Sequence, residues 1–132
     1  LTGAEMNGFY QATDALRLSW DGQAIEGEDD GGAPLADVPP DRVALQGDWR
    51  RGRWALQGRL QHRFDKDEPG PGEQPVASAD LLSAALAYEI RDGFRLSLTG
   101  DNLLDETYLP SADEQSVPAP ERAVGIGVVW TD

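Results

Sequence analysis

The side chains that most often do chemistry are scarce in this chain. It has one histidine, His62, one methionine, Met6, and no cysteine. A catalytic zinc normally takes three protein ligands, so a lone imidazole does not make a site. Without cysteine there is no disulfide framework and no thiolate metal site. Carboxylates are plentiful instead. Glu28-Asp29-Asp30 and Asp65-Lys66-Asp67-Glu68 offer the hard oxygen ligands that calcium prefers. They lack the spacing of a dedicated calcium loop and read first as solvated, self-repelling segments. His62 has no serine nucleophile close to it in sequence, and no helix follows Gly125-Ile126-Gly127 as a phosphate loop would require. Neither an enzyme nor a cofactor is expected. The groups left to hold a ligand are Tyr108, Asp113 and Glu114 in a long acidic stretch, and Arg59, Arg63 and Arg95, which suit an anion. Those arginines have a second use, pairing with Asp48, Glu89 or Asp101.

Composition narrows the partners. The 132 residues carry 24 Asp+Glu against 11 Lys+Arg, a net charge of −13. That length suits one domain. The charge excludes a nucleic-acid surface, which needs a clustered basic face. The longest apolar run, Leu81 to Tyr88, is far short of the roughly 18 residues of a membrane helix. The chain begins at Leu1, in a segment that already reads as a strand, as if it were a piece of a longer fold.

The elements that must position these side chains follow a period of two. From Arg53 to Asp65, Trp54, Leu56, Gly58, Leu60, His62 and Phe64 alternate with Arg53, Ala55, Gln57, Arg59, Gln61, Arg63 and Asp65. Successive strand side chains point to opposite faces, so this segment has one apolar and one polar face. The pattern recurs, and predicts seven strands at about 2–11, 14–26, 42–50, 53–65, 79–90, 93–102 and 122–130. In the last, Val124, Ile126, Val128 and Trp130 share a face, opposite small residues.

The connections alternate short and long, and charge sorts with them. The three long loops hold Glu28, Asp29, Asp30, Asp67, Glu68, Glu73, Asp113, Glu114 and other acids, with Lys66 the only base. The short turns hold Arg50, Arg51, Arg53 and Arg91 against Asp14 and Asp92. Membrane β-barrels sort loops in this way, with tight periplasmic turns and long extracellular loops. Strands of about ten tilted residues span a bilayer, and closure then becomes obligatory, because lipid cannot satisfy an open edge. Trp49, Trp54, Phe94 and Trp130 fall beside the short turns on the apolar face, as an interfacial girdle would; Phe64, Trp20 and Tyr88 are expected elsewhere along that face. His62, near the outer end of the same face, is expected at the bilayer interface. Seven is odd, whereas bacterial single-chain barrels have even strand numbers. The expected fold is therefore all-β: seven antiparallel strands of a larger transmembrane barrel.

The closing stretch carries a resemblance. A strand, Phe94 to Asp101, runs into Asn102-Leu103-Leu104-Asp105 with Tyr108 close behind; a long loop follows, then Pro120-Glu121-Arg122 and a final strand ending on Trp130. This order resembles the C-terminal end of TonB-dependent outer-membrane receptors, and the segments around Glu5 and PLADVPPDRVAL are similar as well. The family pattern has Gly where Glu121 stands, and its aromatic residue ends the chain, whereas Thr131 and Asp132 follow here. The resemblance implies a barrel of about 22 strands, of which residues 1–132 form the C-terminal segment. It implies import of a scarce nutrient, such as a ferric siderophore, haem, cobalamin or another chelate, with energy from TonB. It also implies a plug domain, a further pairing partner for Arg59, Arg63 and Arg95, and a TonB-binding segment elsewhere, with the rest of the barrel possible as a separate chain. Gly125, Val128 and Trp130 have the spacing of the signal read by the barrel-assembly machinery, and the setting is the bacterial outer membrane and its lipid. Two rival classes remain open at this point: a passive porin-like barrel, and a soluble acidic β-sandwich that binds a ligand.

Overall fold

The computed structural model describes residues 1–131. It contains seven strands: β1 (Thr2–Gln11), β2 (Leu16–Glu26), β3 (Arg42–Arg51), β4 (Trp54–Arg63), β5 (Ala79–Arg91), β6 (Phe94–Asp101) and β7 (Ala123–Trp130). They form one antiparallel sheet in chain order, with β1 and β7 at its edges. Such a meander follows from the connections, since each short turn returns the chain beside the strand it has just left. Thr13 builds the first turn. Its Oγ1 accepts from the amides of Ala15 and Leu16 at 3.2 and 3.0 Å, so β2 begins at Leu16, two residues later than the alternation predicts. Gly52 makes the second turn with φ of 58° and Gly93 the third with φ of 75°, in the left-handed region that costs glycine nothing.

Register extends the two-face pattern across the sheet. Trp20, Leu45, Leu60 and Leu82 lie in one row, and Leu16, Trp49, Leu56, Leu86, Leu98 and Ile126 in another. Ser19, Gln46, Arg59 and Ser83 form a row on the other side. The leucine-rich face has nothing packed on it: Leu45, Leu60, Leu98 and Ile126 keep 53, 47, 46 and 77% of their surface. A water-soluble sheet would cover such a face, and an exposed apolar area of this breadth belongs to a lipid-facing wall.

The aromatic girdle is wider than the sequence suggests. Tyr88 stands opposite Trp54, ring centroids 4.4 Å apart, and so belongs beside the short turns rather than elsewhere on the face. The reason is strand length: β5 runs to Arg91, and a bulge between Glu89 and Arg91 brings its end level with the Arg51–Trp54 turn. At the other end β4 stops at Arg63, two residues early, because Lys66 turns inward to join the loops.

The buried residues lie mostly among those loops. Val38, Val76 and Ala112, one from each long loop, keep 9, 3 and 4% of their surface. The best-packed part of the molecule is thus a cap of three loops over one end of the sheet.

Candidate functional site

Lys66 and Glu73 hold the cap together. Lys66 Nζ donates to Glu73 Oε2 at 2.5 Å and to the Val38 carbonyl at 2.8 Å. Glu73 also accepts from the amides of Gly70 at 2.7 Å and Asp37 at 2.9 Å. Burial raises the Glu73 pKa, but the Lys66 hydrogen bond, the two amides and the ammonium charge together outweigh it, leaving the carboxyl below its ordinary value. The second and third loops join through the Gln74 amide to the Ala112 carbonyl (2.7 Å) and the Glu114 amide to the Gly72 carbonyl (3.2 Å). Gly70 sits so close to the first loop that an added Cβ would come within 2.5 Å of the Leu35 carbonyl carbon.

Beneath this roof, on the polar face of the sheet, lies a cleft of about 380 Å³. The strands give it Arg42, Gln61, Arg63 and Leu81; the loops give it Asp37, Tyr108 and Pro110. A second cleft of about 440 Å³ adjoins it, with Arg59, Ser83, Asn102 and Glu121 among its walls. Tyr108 lines both. Arg63 places this tyrosine: its guanidinium donates to the Leu109 and Pro110 carbonyls at 3.1 and 2.9 Å and lies 5.2 Å from the Tyr108 ring centroid. Two arginines and a phenol at the mouth of a polar wall suit an anionic or hydrogen-bonding ligand, in a chain that is otherwise strongly acidic.

The other sequence-derived candidates fall in different places. Arg59 faces the same side but pairs with Asp21 at 2.8 Å, which also has Arg42 at 3.9 Å. Its partner is therefore not Asp48, Glu89 or Asp101: Asp48, diagonal to Arg59 on the neighbouring strand, is held by Gln46 and Gln57, and the guanidinium reaches across β3 to Asp21 instead. Arg63 bonds loop carbonyls rather than an acid. Arg95 lies opposite Glu89 in register, with no ion pair of its own among the described residues. Asp113 and Glu114 line neither cleft; they sit on top of the cap, where Asp113 faces Glu73 in a β-bridge. In β7, Val128 and Trp130 are on the lipid-facing side and Gly125 is on the polar one.

Arg42 and Gln61 escaped the sequence reading. Both were within reach of it: the tight turn at Gly52 fixes Arg42 opposite Arg63, and alternation from Val43 puts Arg42 on the polar face.

The acidic runs do not gather into a metal centre. No group of three metal-ligating side chains occurs among the described residues. Asp29 spends Oδ1 on the amides of Ala33 and Gly31, which hold its pKa down. Asp67 is pushed up by a hydrogen bond to Asp65 and by that neighbour's charge. His62 faces outward, bonded to Asp80 at 2.7 Å and edge-on to Phe64, with ring centroids 4.6 Å apart.

The Asn-Leu-Leu-Asp box is an anchor. Asn102 bridges the Glu106 amide (3.0 Å) and the Glu106 and Pro120 carbonyls (2.9 and 3.2 Å), tying the start of the third loop to its exit. Asp105 accepts from the amide and guanidinium of Arg122 at 3.0 and 3.2 Å.

Comparison with known proteins agrees with this architecture. A family model described as TonB dependent receptor-like, beta-barrel, matches residues 1–103. A solved structure described as the copper transporter OprC superposes with a TM-score of 0.87 at 19% identity, over 97% of this chain. The chain spans 23% of that structure's length. No curated protein matches the sequence. A seven-stranded antiparallel wall with one lipid-facing side fits that barrel description, and the chain belongs to the TonB-dependent receptors, as part of their outer-membrane β-barrel.

Proposed function

We propose that residues 1–132 are the C-terminal segment of a receptor barrel that imports a chelated nutrient, driven by TonB and gated by a plug domain carried elsewhere. The observation that carries this reading is the cleft under the loop cap, where Arg42, Arg63 and Tyr108 meet on the polar wall. Such a cleft favours an anionic chelate such as a ferric siderophore, over a bare metal ion. The structural neighbour is described as a copper transporter, yet this chain's one imidazole, His62, lies on the lipid-facing side of the sheet, as does Met6, and there is no thiolate at all. Soft metals select such ligands, so this wall is better suited to a metal already wrapped by a chelator. Asp113 and Glu114, on the outer surface of the cap, would meet the ligand first; Arg59 and Arg95 line the path below.

The test is uptake by cells in which the full-length receptor is the sole route, offered ferric chelates, haem, cobalamin and copper salts. Arg63→Ala and Tyr108→Ala are expected to weaken binding of the accepted chelate about tenfold each, the loss of one charged hydrogen-bond set or one aromatic contact. Uptake of copper salts alone, or variants that bind as the parent does, would contradict it.

A further inference from the structure

The turn end of the wall carries basic residues that neither the loops nor the proposed cleft uses, and register divides them between the two faces. Arg50 stands opposite Ala55 on the polar side. Arg51 stands opposite Trp54, on the lipid-facing side. Arg91, displaced by the bulge, stands opposite Phe94, which itself faces Trp130. The Arg91 guanidinium lies 6.0 Å from the Phe94 ring centroid, so the side chain runs along the girdle. Arg51 and Arg91 are exposed and make no ion pair among the described residues. Around them are Trp54, Tyr88, Phe94 and Trp130.

We infer that Arg51 and Arg91, with this girdle, form a site for anionic phospholipid headgroups of the periplasmic leaflet. Two features point to that partner. Tryptophan and tyrosine rings settle at headgroup level, which sets the depth of both guanidiniums. Arginine lays its stem along apolar surface and keeps its fork in the polar layer, where it grips a phosphate with two parallel hydrogen bonds. Asp92 is the acid of the adjoining turn, and the two outward arginines outnumber it. The opposite end is strongly acidic, so attraction for anionic lipid is confined to the turn side. Basic residues at a membrane edge are worth about a fivefold gain in anionic lipid each.

The experiment is native mass spectrometry of the full-length receptor in detergent, with equal phosphatidylglycerol and phosphatidylethanolamine added. The parent is expected to retain phosphatidylglycerol preferentially, and the Arg51→Gln/Arg91→Gln double variant to lose about 25-fold of that preference, about fivefold for each arginine. Arg50→Gln removes the same charge from the same turn but on the polar side, and is expected to leave the preference intact. Heat-modifiable migration on gels checks that each variant is folded. Absence of preference in the parent, an unchanged preference in the double variant, or an equal loss with Arg50→Gln would overturn the site.

Discussion

Asn102 adopts a left-handed backbone with φ of 47°, and Asp105 does the same with φ of 60°. Asparagine and aspartate tolerate that region better than other non-glycine residues, and here their side chains also supply the bonds that close the loop base. Asn102→Ala loses three hydrogen bonds and the tolerance together. It is expected to cost about 2 kcal/mol and to loosen the third loop, read as faster hydrogen exchange at Glu106. Lys66 and Glu73 make a second prediction, with a definite sign. The Glu73 pKa is depressed in the folded protein, so its contribution is present above the unfolded value and is lost as pH falls through the folded one. The cap is therefore expected to open below the ordinary glutamate range, seen as proteolysis at residues 35–38, while the strands stay protected. Glu73→Gln should open it already at neutral pH, leaving Lys66 without its counter-charge. An acid-insensitive cap would contradict the role given to this pair.

The strands were legible because their signal is strong and local. The run from Trp54 to Arg63 alternates without a break, and no helix preserves that pattern. The turn at Gly52 then sets the register for the whole β3–β4 pair. The cap was not legible, since it depends on meetings between residues far apart in sequence, such as Asp37 with Glu73 and Gln74 with Ala112. Periodicity says nothing about those, and Lys66, a lone base among acids, was the one hint. Alternation also makes an element-scale prediction. Leu60→Arg, on the lipid side of β4, is expected to destabilise the barrel by about 2–4 kcal/mol, whereas Ala85→Arg on the polar side should be tolerated. Equilibrium unfolding of the full-length receptor into lipid vesicles distinguishes the two.

Over the whole molecule the two ends and the two faces differ in chemistry. Acid loops are locked together at one end, arginines and aromatic rings mark the other, leucines look outward and polar groups inward. A soluble sandwich has no use for the outward leucines. A passive channel has little use for a roof pinned by a half-buried ion pair over a cleft. The same division fixes how the chain must sit in the outer membrane, and it can be measured residue by residue, because the chain has no cysteine of its own. The direct measurement labels single cysteines placed in turn from Leu56 to Gln61 of the full-length receptor in intact outer membranes. A lipid-soluble maleimide should modify positions 56, 58 and 60, and a charged, water-soluble one should modify 57, 59 and 61. Labelling of all six by the charged reagent would mean that both faces are wet, and would contradict the membrane wall on which the account rests.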